Sequence, residues 1–476
     1  MSTDPTPEAR DLQNAAIQDA AGSGDDTQLE STAAVPTDGS PGLAHVAALA
    51  FVAARAVPGL GFPVAAGGGI ALARATERVG LREGVGSAIA AIVEAIAILG
   101  PARLGAPLGQ TVTAPAIGAI ARRGGGFGLQ LAACTAIRLA FNIVGTAFFV
   151  WVIAGGVETY AGAYDTVLGA IPGLPTGVSA ALVITLAGIV LWSVGASAVQ
   201  VWAYRRATER WTSGDDTRES TSPGAEDTGR QGDEQAPSND AGWEPSTPGR
   251  AARMWARLKP ASAPRSRRRP FDPRAVTAAA AVAFALLLIS TEWALLGAVA
   301  GWLAIAWLVA PADREVVPAG VALALLLGLG ALVANLLGGE GLSGALAHAA
   351  RAALLVLAAT WMRGAAGAAG FKEVARRVLT RLRRLPAMTE AAKTLDQLGS
   401  ERRLGDAARS LVERVRGTAQ QPLELFDAVL AWIATEAERF RAAPRLTPPR
   451  LAYRPFDATL LTIIAVPALA FGLPGG

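Results

Sequence analysis

Long stretches without a charge alternate with short basic patches along this chain, and the stretches have the length of helices rather than strands. Residues 127–154 and 177–204 are apolar over more than the ~20 residues a helix needs to cross a bilayer, with Arg138 and Asn142 inside the first. Between residues 43 and 121 the pattern is broken by Pro58, Gly59, Gly61 and Pro63, and again at Pro101 and Arg103. The four pieces so made are each shorter than a span, so true crossings and re-entrant hairpins stand level. The glycine triplets 67–69 and 124–126 predict backbone turns.

Further apolar runs at 274–289, 294–310, 316–337 and 345–362 predict a four-helix membrane unit, and 458–473 predicts a last helix. Between these lies a charged stretch of a different kind. From Phe371 to Leu385, Phe371, Val374, Ala375, Val378, Leu379, Leu382 and Leu385 recur at helical spacing, with Arg376, Arg377, Arg381, Arg383 and Arg384 mostly opposite. Such a helix lies on a membrane surface or against a partner instead of crossing. Residues 388–398, 406–416 and 423–440 give three more amphipathic pieces, divided at Gly399, Gly405, Gly417 and Pro422.

Composition agrees with this pattern. The chain has 476 residues, 51% hydrophobic and 17% charged, with mean hydropathy +0.35, too apolar for an ordinary soluble protein. The net charge of +4 is small, and what matters is its placement. Bases flank the apolar runs at Arg122, Arg123, Arg205, Arg206, Arg269, Arg274, Arg314 and Arg363, while the alternate turns carry Glu158, Asp165, Glu292 and Glu340. The positive-inside rule then places the N-terminus, the linker and residues 365–453 in the cytoplasm of a multi-pass protein of the cell membrane. The same placement argues for a lipid bilayer as partner and against nucleic acid. One cysteine, Cys134, excludes an intrachain disulfide, and with two histidines a metal site is not expected. No catalytic or cofactor-binding motif stands in the sequence, so an enzyme and a cofactor are not expected either.

The expected fold is all-α and polytopic. An acidic disordered tail (1–40) precedes an N-terminal membrane unit (41–210), a disordered linker (211–264), a four-helix membrane unit (265–364), cytoplasmic amphipathic helices (365–453) and a C-terminal transmembrane helix (454–476). An internal echo supports this count. Arg269-Pro270-Phe271-Asp272 with Thr277, and Arg454-Pro455-Phe456-Asp457 with Thr462, read as one helix-entry device used twice, at the same face if the spans between them are even in number. Ionisable groups within apolar runs are functional candidates: Glu94 and Arg138, read as a buried pair, with His348 and Arg351.

The second half resembles the transmembrane T component of energy-coupling factor transporters over residues ~265–476. The residues that carry the resemblance are Phe271-Asp272-Pro273-Arg274, Asn335-Leu336-Leu337 before a glycine-rich turn, Phe371-Lys372-Glu373-Val374 through Arg383-Arg384-Leu385-Pro386, and the basic lead 445–454 into the last helix. The resemblance implies a non-enzymatic transporter subunit, with a cytoplasmic ATPase subunit and a membrane substrate-binding subunit as partners. It assigns ATPase docking to Arg416 in Val415-Arg416-Gly417 and to Arg441 in Phe440-Arg441-Ala442, each of which keeps only part of the family's Ala-Arg-Gly pattern. Arg376 and Arg377 join them as docking candidates on the first amphipathic helix. A membrane scaffold or assembly protein without transport activity is the alternative.

Overall fold

The structure, a computed structural model, describes residues 40–55, 61–101, 105–169, 171–173, 175–219, 271–310, 316–398, 453 and 455–472. Residues 407, 410–413, 428–433 and 435–437 are described as well. Among the described residues all regular structure is helical. The helices are α1 (Ser40–Ala54), α2 (Gly61–Val79), α3 (Leu81–Leu99), α4 (Gly105–Arg122), α5 (Phe127–Phe148), α6 (Val157–Leu168), α7 (Val178–Glu219), α8 (Pro273–Ile289), α9 (Trp293–Val309), α10 (Val317–Leu337), α11 (Leu342–Arg381), α12 (Pro386–Gln397) and α13 (Pro455–Gly472). A π-helical turn, Phe149–Ile153, ends α5.

Among the described residues, four segments are long and apolar enough to cross a membrane: Phe127–Ile153, Val178–Glu209, Val317–Leu337 and Leu342–Arg381. In three of them the apolar side faces outward. The residues buried in α5 are Gln130, Cys134 and Arg138, four apart on one face, while Leu129 and Val144 are 61% and 69% exposed. Helix α7 turns Ser193, Ser197 and Gln200 inward and leaves Leu191 and Trp192 outside. The inner stripe of α10 is Gly320, Ala324, Gly328, Ala331 and Asn335. Small residues at that spacing let two backbones approach closely, and a β-carbon at Gly320 would collide with the Thr360 side chain of α11. Helices α8 and α9, expected as spans, have 17 residues each, about 25 Å, and stay short of the membrane-length criterion.

The interrupted N-terminal region behaves differently. Helix α1 is buried almost throughout, with Val46 to Phe51 at 0% exposure, in a core shared with α2, α3, α4 and the inner face of α7. The glycine run 67–69, expected as a turn, sits in mid-helix instead. A β-carbon at Gly67 would lie 2.6 Å from Val429, and one at Gly68 would lie 2.7 Å from Phe51. The missing side chains let Val429 approach Gly67 and Phe51 of α1 approach Gly68 on neighbouring faces of the helix, and that packing offsets the helix propensity that glycine loses. The triplet 124–126 does form a turn, with Gly124 at φ +73°.

Leu411, Val412, Val429, Leu430, Trp432 and Ile433 belong to this same core. The described residues between 407 and 437 therefore spend their apolar side chains on the N-terminal helices. Helix α12 likewise packs Ala391 and Leu395 against Ala44 and Ala90, joined by Leu379. In the second half, α8, α9, α11 and α13 share a core centred on Trp302, Trp361 and Leu460. The echoed entries meet there: Asp272 N–H donates to Asp457 Oδ1 at 2.7 Å. Helices α8 and α13 thus start together at one end.

Candidate functional site

Among the described residues, three polar centres contain the ionisable groups buried in the apolar interior that the sequence singled out or that bridge its helices. The first lies between α4, α5 and α7. Arg138 points from α5 toward two amides, donating to Gln200 Oε1 and, at 3.5 Å, to Gln110 Oε1. Gln200 Oε1 also accepts from Thr113 Oγ1 at 2.8 Å and from Cys134 Sγ at 3.7 Å. Arg138 is 3% exposed, and Gln110 and Gln200 are fully buried. The expected Glu94–Arg138 pair does not form, because Glu94 faces α11 on the other side of the N-terminal helices.

The second centre lies at the α10–α11 turn. The π-helical turn displaces carbonyls from the regular ladder, and two of them turn to the second half. Arg351 Nη2 donates to the Val152 carbonyl, and Asn335 Nδ2 to that of Ile153 at 3.2 Å. Arg351 Nη2 also lies 2.9 Å from His348 Nδ1. A guanidinium only donates, so Nδ1 accepts and the imidazole proton sits on Nε2, 3.6 Å from Glu340 Oε1. Gly155, at φ +77°, closes the centre: a β-carbon there would lie 2.8–2.9 Å from Asn335 Oδ1, Glu340 Oε1 and His348 Nε2. Two of the expected residues, His348 and Arg351, thus come together with Asn335 and Glu340.

The third centre is a bridge. Lys372 Nζ of α11 pairs with Glu94 Oε2 of α3 at 2.8 Å and donates to the Leu398 carbonyl at 3.1 Å. One turn before the kink, Arg363 Nε donates to the Ile98 carbonyl at 3.1 Å. Between these clamps Gly367 has φ +63° and ψ 162°, a conformation that only glycine adopts readily, and α11 bends there. Beyond the bend, the buried carboxylate of Glu373 holds both Arg376 and Arg377, at 2.7 and 2.8 Å, and Arg376 also reaches Asp396 at 3.3 Å. These two docking candidates are thus engaged within the chain. Val378, Leu382 and Leu385 stay about half exposed beside the exposed Arg381, Arg383 and Arg384. Arg416 and Arg441 lie outside the described residues.

Sequence reasoning passed over Gln110, Gln200 and Gly367. Two glutamines in otherwise apolar runs were the available signal for the first centre. Gly367 stands among four alanines and two other glycines in residues 364–370, and nothing in the sequence marks it as the bend. Among the described residues no group of three or more His, Cys, Asp and Glu side chains comes together to hold a metal ion. No family model, curated protein or solved structure matches this chain.

Proposed function

We propose that this chain is a polytopic, non-enzymatic membrane protein that acts as a transporter subunit, transmitting movement between a cytoplasmic ATPase partner and a membrane-embedded one. The observation that carries this reading is the course of α11. One helix leaves the membrane-length segment, bends at Gly367 and ends in a basic surface, with a clamp to α3 on each side of the bend. A rod so tied moves the N-terminal helices whenever its basic end is pulled. The half-exposed Val378, Leu382 and Leu385 with Arg381, Arg383 and Arg384 form the docking end, and they join Arg416 and Arg441 in that role. The outward apolar faces of α5, α7 and α10 meet lipid.

The test is capture of a purified ABC-type ATPase by the full chain in nanodiscs. Wild type retains the ATPase, and Arg381→Glu/Arg383→Glu/Arg384→Glu and Arg416→Glu/Arg441→Glu each weaken retention at least about tenfold, the scale of a lost charge-assisted contact. A wild type that retains no ATPase sinks the coupling role. That result favours the scaffold, because Leu411, Val429 and Ile433 are already buried within the chain.

A further inference from the structure

The buried guanidinium of Arg138 has no carboxylate beside it. Its hydrogen-bond acceptors are neutral amide oxygens, Gln200 Oε1 and Gln110 Oε1, and its Nε finds no acceptor at all. The flanking helices α4 and α7 hold two more unsatisfied groups. Gln110 Nε2 has no partner, and neither has Ser197 Oγ, one turn before Gln200 on α7; both residues are fully buried. A charge taken out of water without compensation is costly, and each orphaned buried donor adds to that cost. The second and third centres contain their own carboxylates, Glu340 and Glu94. This one does not. What it lacks is one negative charge that accepts hydrogen bonds.

We infer that the Arg138–Gln110–Ser197 centre binds a small monovalent inorganic anion of the chloride and nitrate class. Arg138 Nε and Gln110 Nε2 donate to the anion, and the Ser197 hydroxyl turns to become a third donor. The size limit comes from the walls. A β-carbon at Gly69 would lie 2.9 Å from Gln200 Nε2, and one at Gly109 would lie 3.4 Å from Arg138 Nη1, so backbone approaches the centre from two helices. Gln200 holds the guanidinium in place, because its Oε1 gathers Arg138, Thr113 and Cys134 on one atom. The site is independent of the coupling role: its donors come from α4, α5 and α7, and none of them is a docking arginine.

The experiment is thermal unfolding of the purified full chain, with chloride, bromide or nitrate replacing gluconate at constant ionic strength. Wild type gains melting temperature saturably with each small anion, while gluconate, too large for the centre, gives none. Arg138→Gln weakens the apparent affinity at least about tenfold, as loss of a charged hydrogen-bonding partner requires. A second variant covers failure of the first to fold. Gln110→Glu places a carboxylate where the amide oxygen already meets Arg138, so this variant is stable in gluconate and gains nothing from chloride. No anion-dependent shift in wild type overturns the inference, and so does an undiminished shift in either variant. A wild type indifferent to anions but destabilised by Cys134→Ser assigns the counter-charge to the Cys134 thiolate instead, and also overturns it.

Discussion

Helices α1 and α5 are both apolar and both begin near a charged segment, yet they use their side chains in opposite ways. In α1 the apolar residues are sealed inside protein, whereas α5 buries Gln130, Cys134 and Arg138 and turns Leu129, Val144 and Phe148 outward. Hydrophobic character says that a residue leaves water; it does not say whether protein or lipid receives it. The polar face decides. A helix that hides its polar residues and shows its apolar ones has the pattern of a span, and α7 and α10 share it. The short N-terminal helices, whose length leaves crossing and hairpin equally open, bury their apolar surface against one another and against Leu411, Val412, Val429, Leu430, Trp432 and Ile433.

The largest expected effect is nearly all-or-none. In vesicles of brominated phospholipid, the exposed Trp151 and Trp192, 68% and 57% exposed, meet the quencher, while Trp361 and Trp432, at 0% and 2%, do not. Trp151→Phe and Trp192→Phe therefore lower the quenchable fluorescence, and Trp361→Phe and Trp432→Phe lower the unquenched part. Equal quenching of the two pairs breaks the contrast between the regions.

Next comes the bridge that joins the regions. Lys372→Met takes the bonded ammonium from the buried Glu94 and lowers unfolding stability by about 3 kcal/mol, within the range for one lost member of a buried pair. Glu94→Gln combined with Lys372→Met recovers most of that loss, since neither charge is then stranded. Equilibrium unfolding in mixed micelles measures both. If the double variant is as unstable as the single one, Glu94 does not depend on Lys372.

The outward-facing helices allow a test on a single element. Gly320→Leu drives a side chain into Thr360 and loses about 2 kcal/mol by overpacking, whereas Leu325→Ala, on the face that is 67% exposed, stays within about 0.5 kcal/mol in micelles. A reversed order would place the α10–α11 seam on the wrong side of the helix.

The helical class, the long apolar segments at 127–153, 178–209 and 317–337 and the twin Arg-Pro-Phe-Asp entries were legible because each rests on local pattern: run length, flanking bases, a repeated motif. The polar centres were legible only as lone residues. His348 and Arg351 stand three apart and share a helix face, so their meeting follows from spacing. Glu94 with Lys372 spans 278 positions of sequence, and no local rule chooses Lys372 over Arg138 as its partner. The glycine run 67–69 misled for a related reason. Glycine permits a turn and a close helix contact alike, and the partner that selects between them, Val429, lies far along the chain.

The smallest effect concerns the paired helix entries, and it carries a pH signature. Asp272 caps α8: its Oδ1 accepts from Arg274 N–H at 2.8 Å and its carboxylate holds the Arg274 guanidinium. Burial raises its pKa, but the side-chain and backbone hydrogen bonds from Arg274 outweigh burial and leave it below the ordinary aspartate value. A carboxylate depressed in the folded state stabilises the fold at pH above its unfolded pKa, and that contribution disappears as pH falls through the folded value. The window therefore lies below about pH 4. Asp272→Asn keeps the cap's shape and loses its charge, which costs about 0.5 kcal/mol at neutral pH. Melting temperature followed from pH 6 to pH 3 separates the two: wild type converges on the variant as Asp272 takes up its proton. A gap that stays constant across that range assigns the loss to packing against Asp457 and removes the charge from the account of how α8 and α13 start together.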